Sequence, residues 1–286
     1  MSIARFVSRL LLLFFCWFTA TIAGEIRVTD DTGKLVELAE PARRIVSLSP
    51  HITEILFSLE AGDTLAGTVR FSNYPPAARE VPRVGDAFSV NVETIVSLEP
   101  DLILAWATGG ADDALERLKA LGIPVYTNRA TSLDDIGASV RRIGHLIGKR
   151  ELGERLATEY LQELHGIRQR ENAGDRSAIF FQISDQSLYT VSNEHLIGQA
   201  IELCGGRNIF GDAPVPVPMV STEAVLAANP DLILISQPET GVRSPWVEKW
   251  RHFESLEGKI RTLDADLISR PSLRMLEGVK KLCSLI

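Results

Sequence analysis

Glu93-Thr94-Ile95-Val96-Ser97-Leu98-Glu99-Pro100-Asp101-Leu102-Ile103-Leu104 returns, in the same order of residue types, as Glu223-Ala224-Val225-Leu226-Ala227-Ala228-Asn229-Pro230-Asp231-Leu232-Ile233-Leu234. Each copy starts at an acid, runs through a short amphipathic stretch of helical period, breaks at Pro-Asp and enters an apolar strand. The acid-to-proline spacing is seven positions in both. A helix–Pro-Asp–strand unit in each half predicts two similar α/β lobes with parallel-type sheets, and two lobes leave a ligand cleft between them.

Outward from these units the chain reads consistently. Ile26 to Leu38 alternates and turns at Asp31-Thr32-Gly33, a hairpin signal. Arg44 to Leu48 is a short buried strand, and Ser49-Pro50 opens a helix with Ser as N-cap and Pro at the first helical position. Further strands fall at Thr64 to Val69, Leu102 to Trp106 and Pro124 to Tyr126. From Ser132 the chain turns helical, is interrupted at Gly148, and resumes over Glu151 to Arg170, where Leu152, Leu156, Tyr160, Leu164 and Ile167 share one face. Asn172-Ala173-Gly174-Asp175 ends that helix. About 20 residues span roughly 30 Å, enough to run along both lobes. The second lobe repeats the plan, with a strand at Ala178 to Phe181, a helix at Leu196 to Leu203, a strand at Thr262 to Asp264 and a last helix from Ser272. These readings divide the chain into an N-terminal lobe over 24–148, a long linking helix over 149–172 and a C-terminal lobe over 173–286.

The beginning of the chain reads as a leader, not as fold. Arg5 and Arg9 precede an apolar run from Leu10 to Phe18, and Thr21-Ile22-Ala23 offers small residues for cleavage, so 1–23 is expected to be an export signal. Without it the 30 Lys+Arg become 28 against an unchanged 37 Asp+Glu, a net charge of −9 that argues against nucleic acid as a partner. No later stretch reaches membrane-spanning length, so a soluble product in an oxidising compartment is expected. Cys16 leaves with the leader; Cys204 and Cys283 remain, an even pair whose expected state is a disulfide. The loop of about 80 residues that it closes is worth roughly 4–5 kcal/mol in the chain-entropy estimate.

Arg44-Ile45-Val46-Ser47-Leu48-Ser49-Pro50 with Thr53-Glu54, Asn73-Tyr74-Pro75-Pro76, Val84-Gly85-Asp86, the two Glu…Pro-Asp-Leu phrases and Cys204-Gly205-Gly206-Arg207-Asn208 together resemble the helical-backbone periplasmic binding proteins. The resemblance covers nearly all of the chain after the leader, and Ser72 to Pro76, Ala105-Trp106 with Gly109-Gly110, and the cysteine pair resemble its cobalamin-binding members most. It implies a periplasmic, monomeric capture subunit of an ABC importer, without catalytic residues, metal or resident cofactor. The transported ligand would be cobalamin or a related corrinoid, clamped edge-on between the lobes. By the same resemblance Tyr74, Trp106 and Tyr189 would pack on the corrin, and rigid aromatic faces suit a flat macrocycle because they give contact area at little entropic cost. Asp266 and Arg270 would face the cleft from the second lobe, one accepting from and one donating to corrin amides. Glu93 and Glu223 would dock into arginines of the permease, although each also favours its own helix N-terminus. Tryptophans of the cobalamin-binding members are absent here at Val217 and near Ala87, and Phe88 could supply one face instead.

Rival readings stay open on residues alone. A haem carrier would need an axial Tyr or His, for which Tyr74, Tyr189, His51 and His195 are available, with a capping or solvent role the alternative for His51. An iron–siderophore carrier would want cleft arginines among Arg70, Arg207, Arg243 and Arg270. The five histidines are too scattered for a zinc or manganese site. No Gly-x-Ser-x-Gly, His-Glu-x-x-His or phosphate-cradling loop supports an enzyme.

Overall fold

A computed structural model describes residues 25–86, 88–169, 176–238 and 244–286. The expected leader, Ala87, the 172–175 stop and Arg243 lie outside the described residues. A hairpin of β1 (Ile26–Thr29) and β2 (Leu35–Leu38) opens the fold. The first lobe follows with β3 (Ile45–Ser47), α1 (Pro50–Ser58), β4 (Leu65–Thr68), α2 (Val92–Ser97), β5 (Leu102–Trp106), α3 (Asp112–Ala120) and β6 (Val125–Asn128). Two long helices come next, α4 (Leu133–Leu146) and α5 (Arg150–Arg168). The second lobe holds β7 (Ala178–Gln182), α6 (Leu196–Leu203), β8 (Arg207–Asn208), α7 (Thr222–Ala227), β9 (Leu232–Gln237), α8 (Pro245–Arg251), β10 (Ile260–Asp264), α9 (Ala265–Ile268) and α10 (Met275–Cys283).

Both lobes carry one parallel four-stranded sheet of the same design. The first is ordered β4-β3-β5-β6 and the second, read the same way, β8-β7-β9-β10. The repeated phrase accounts for the likeness atom by atom. Asn91 and Ser221 cap α2 and α7 by accepting from Thr94 N and Ala224 N. The residues before the prolines, Glu99 and Asn229, both turn the chain at positive φ (47° and 44°). Each aspartate then pins its strand to a neighbour. Asp101 N donates to Arg44 O while its carboxylate accepts from Arg43 N and Arg44 N at 2.8–3.1 Å. Asp231 N donates to Ala178 O at 2.8 Å and its carboxylate accepts from Ala178 N at 2.7 Å. The Pro-Asp pair is therefore a register clamp between β5 and β3, and between β9 and β7.

The lobes are joined along their back by a helical hairpin rather than by α5 alone. Val140, Ile143 and Leu146 of α4 and Ala157 of α5 lie in the core of the first lobe, and Leu133, Ile136, Tyr160 and Leu164 in that of the second. Close approach needs small residues: a Cβ on Gly144 would meet Lys149 O at 3.1 Å and Gly153 Cα at 3.2 Å. The C-terminal helix α10 is fixed to α6 by the Cys204–Cys283 disulfide, as the cysteine count predicts, with Cα atoms 4.7 Å apart. It starts at Met275, three residues later than its sequence start at Ser272, after a turn in which Ser272 N donates to Arg270 O and Met275 N to Ser272 O.

Candidate interlobe binding site

In both sheets the chain reverses direction of winding between the central strands, β3/β5 and β7/β9, and open parallel sheets bind ligands beyond the carboxyl ends of strands at such points. At the first switch point β3 runs through Ser49 into Pro50-His51, the first turn of α1. Ser49 occupies the N-cap position, but its hydroxyl does not cap the backbone; it bonds His51 Nδ1 at 2.6 Å. Asn128 uses its Nδ2 on Asp31 and Ser139, so its Oδ1 accepts from His51 Nε2 at 3.0 Å and Nδ1 accepts the Ser49 hydroxyl. His51 is therefore a buried neutral imidazole, its pKa driven down to about 4 by burial. This corrects its reading as a cap or solvent residue. Beside it Ser47, Thr53, Thr68 and Ser72 form a buried chain of hydroxyls linked at 2.7–3.4 Å.

The edge of His51 meets Trp106, which ends β5: the rings are 5.8 Å apart at 80°. Trp106 is half-buried, with one side supported from behind. The turn that follows it reaches Gly110, where an added Cβ would come within 3.3 Å of Phe88. Phe88 is 68% exposed, and its backbone N–H and that of Ser89 donate to Asp86, which also holds Arg70 at 2.8 Å. Trp106 and Phe88 thus stand together on one rim of the first lobe.

A cleft of about 420 Å³ opens where the segment after β4 faces the ends of β9 and β10. Tyr74, Asp266 and Arg270 all line it, joined by Phe71, Asn73 and Arg274. The Arg274 guanidinium lies 3.5 Å from the centre of the Tyr74 ring. Arg270 is committed within the protein: it bonds Glu54 (2.9 Å), Asn73 Oδ1 (2.8 Å) and Asp266 (2.8 Å). Tyr189 sits over the end of β7, where its carbonyl accepts from Ile183 N. It pairs with Met219, and Val217 stands exposed on the same ladder, built by Thr190 N to Pro218 O and Ser192 N to Pro216 O. The structure thus gathers Tyr74, Asp266 and Arg270 in one cleft, while Trp106 and Tyr189 stand at the ends of β5 and β7 and Phe88 in the loop before α2.

Glu93 and Glu223 occupy the same position in α2 and α7, both exposed and in no ion pair among the described residues. For Glu223, hydrogen bonds to its own backbone and Ser221 lower the carboxyl pKa. Sequence reasoning missed two groups that line the cleft, Phe71 and Arg274, and the buried Glu54 behind them. Phe71 is 65% exposed in the left-handed region (φ 69°), a backbone conformation that cannot be read from residue type. Arg274 looks like an ordinary helix-start cation. Glu54 carries a usable signal, an acid within the apolar run Ile52 to Leu59 that must find partners. Among the described residues no cluster of three or more His, Cys, Asp or Glu could hold a metal ion, and no helix is long and apolar enough to cross a membrane.

The sequence profile of the family described as periplasmic binding protein matches residues 45–281. A vitamin B12-binding protein of Vibrio cholerae is 33% identical over 254 residues, covering 88% of this chain and 92% of that protein. One from Photorhabdus laumondii is 34% identical over 240 residues, 84% of this chain and 86% of that protein. The crystal structure of the periplasmic vitamin B12-binding protein of Vibrio cholerae superposes with a TM-score of 0.76 at 33% identity, over 86% of this chain and 96% of that one. A periplasmic heme-binding protein of Roseiflexus follows with a TM-score of 0.75 at 26% identity, over 85% and 97%.

Proposed function

The chain belongs to the periplasmic binding protein family, whose members bind and deliver solutes and catalyse nothing, and on that premise we propose that it captures cobalamin or a related corrinoid between its lobes in the periplasm and delivers it to an ABC permease. The observation that carries the ligand is the display of aromatic faces at the carboxyl ends of both sheets, Trp106, Phe88 and Tyr74 on the first lobe and Tyr189 on the second. A corrin offers two broad faces and a fringe of amides; the rings suit the faces, and Asp266 suits the amides. The relatives that carry the name vitamin B12-binding protein support the same reading. Residues 1–23 serve as its export leader, and Glu93 and Glu223, equivalent by repetition, as contacts to a permease of two-fold symmetry. The haem alternative draws less support, because His51 spends both ring nitrogens inside the first lobe and His195 Nδ1 caps α6.

Calorimetric titration of the processed, oxidised protein tests the proposal. Cyanocobalamin is expected to bind one-to-one at micromolar affinity or tighter, with haemin at least tenfold weaker. Tight haemin binding with an axial-ligand absorption band and no cobalamin heat would refute it.

A further inference from the structure

Glu54 is 3% exposed in α1, amid the apolar residues Ile52, Ile55 and Leu56, and every partner of its carboxylate comes from the second lobe. Oε1 accepts from Arg270 at 2.9 Å and Arg274 at 3.1 Å, and Oε2 from the Ser272 hydroxyl at 2.5 Å. These three residues line the segment between α9 and α10, over 200 residues away along the chain. Two acids, Glu54 and Asp266, balance two arginines, so the cluster is neutral when Glu54 is ionised. Burial pushes its carboxyl up, and Ser272 and the arginines pull it back.

We propose that Glu54 is the positioning residue of the interlobe cleft: it fastens α1 to the Arg270–Arg274 segment, fixing the angle between the lobes and, through Arg274, the ring of Tyr74. The two arginines differ in what holds them. Arg270 is also tied to Asn73 and Asp266, whereas the bonds of Arg274 run to Glu54 and its stacking to Tyr74. Removing the charge of Glu54 therefore leaves Arg274 without its anchor and Tyr74 without its backing, while α1 keeps its apolar packing on Ile45 and Leu104. A purely structural acid would change stability and leave the cleft alone.

The corrinoid arm of the test rests on the proposed function; the first arm does not. Spin labels on Ser97→Cys and Ala227→Cys, exposed sites on α2 and α7, report the distance between lobes without ligand. Glu54→Gln is expected to broaden or shift a narrow distribution, and an unchanged distribution overturns the proposal. If Glu54→Gln does not fold, Ser272→Ala with Arg274→Met leaves the acid paired to Arg270, and the same broadening is expected. In titration with cyanocobalamin, Glu54→Gln should raise Kd at least tenfold, and adding Arg274→Met should cost less than a further twofold. Independent, multiplying losses would show that Glu54 does not act through Arg274. A wild-type protein that ignores cyanocobalamin sinks the corrinoid reading and leaves the label distances to decide this one.

Discussion

Acidification should strike first at His51. The imidazole is neutral in the folded protein, with a pKa near 4 set by burial, and titrates near 6.5 when exposed. Between those values the unfolded chain binds a proton that the folded chain refuses. The stabilisation is therefore complete above 6.5 and is lost as pH falls toward 4. From pH 7 to pH 5 the linkage relation gives a loss of about 2 kcal/mol from this one group. Protonation would also set an imidazolium against Arg270, which already disfavours it, and would take from Nδ1 the lone pair that accepts the Ser49 hydroxyl. The assay is guanidinium unfolding of the wild type and His51→Gln at pH 7, 6 and 5. Gln keeps a donor for Asn128 and cannot titrate, so it should cost about 1 kcal/mol at pH 7. That gap should close or reverse by pH 5. His195, also held below its ordinary value by burial, acts in both proteins and cancels in the difference. In a Trp246→Phe, Trp250→Phe background, the remaining emission of Trp106 in the folded protein, read below pH 5, should shift with His51 present and not with His51→Gln. A wild-type-minus-mutant difference that stays flat from pH 7 to 5 would refute the buried, neutral imidazole.

Two other outcomes follow from the architecture. Reversing Glu93 and Glu223 to Lys together should abolish corrinoid uptake in cells while leaving the Kd of the isolated protein within twofold; normal uptake would remove their docking role. Replacing Cys204 and Cys283 by Ser should lower stability by about 2–5 kcal/mol in denaturant unfolding, with ligand affinity nearly unchanged, because the bridge joins the far end of α10 rather than the Arg270–Arg274 segment. An unaltered unfolding midpoint would mean that the tie only decorates α10.

The lobes were legible because the signals that build them are local. The Asn or Ser cap, the left-handed residue, the proline and the aspartate all lie within about a dozen residues, and the strand pinned by each aspartate is the first strand of its lobe's parallel sheet. The site was legible only in part. Tyr74, Asp266 and Arg270 came out of family resemblance and do line one cleft, yet nothing in their spacing predicts that Arg270 is already bonded to Glu54 and Asn73. Partners separated by about two hundred residues leave no periodicity to read. His51 was misjudged for a related reason. A short helix covered on all sides buries its first turn as well as its apolar face, and Asn128, which satisfies the ring, arrives at the end of a strand 77 residues later.

Repetition builds each lobe, but it cannot set one lobe against the other. That relation depends on residues without a repeated counterpart: Glu54 and Asn73 against Asp266 to Arg274, and the α4–α5 hairpin, whose start is held to α6 by the bonds of Thr131 and Leu133 with Gln199. Attachment at the Glu54 cluster and along the hairpin constrains a body far more than a hinge of extended strands does. Closure over a ligand would have to strain the Glu54 contacts to Arg270, Ser272 and Arg274. The binding energy of a corrinoid is then best spent on the preset aromatic faces, with little reorganisation to offset. A permease that must recover the ligand meets the converse problem. Were Glu93 and Glu223 its contacts, as proposed, two acids on equivalent helices, one per lobe, would give it a separate grip on each body. On that proposal release would mean loosening the Glu54 cluster, whose arginines line the cleft with Tyr74 and Asp266.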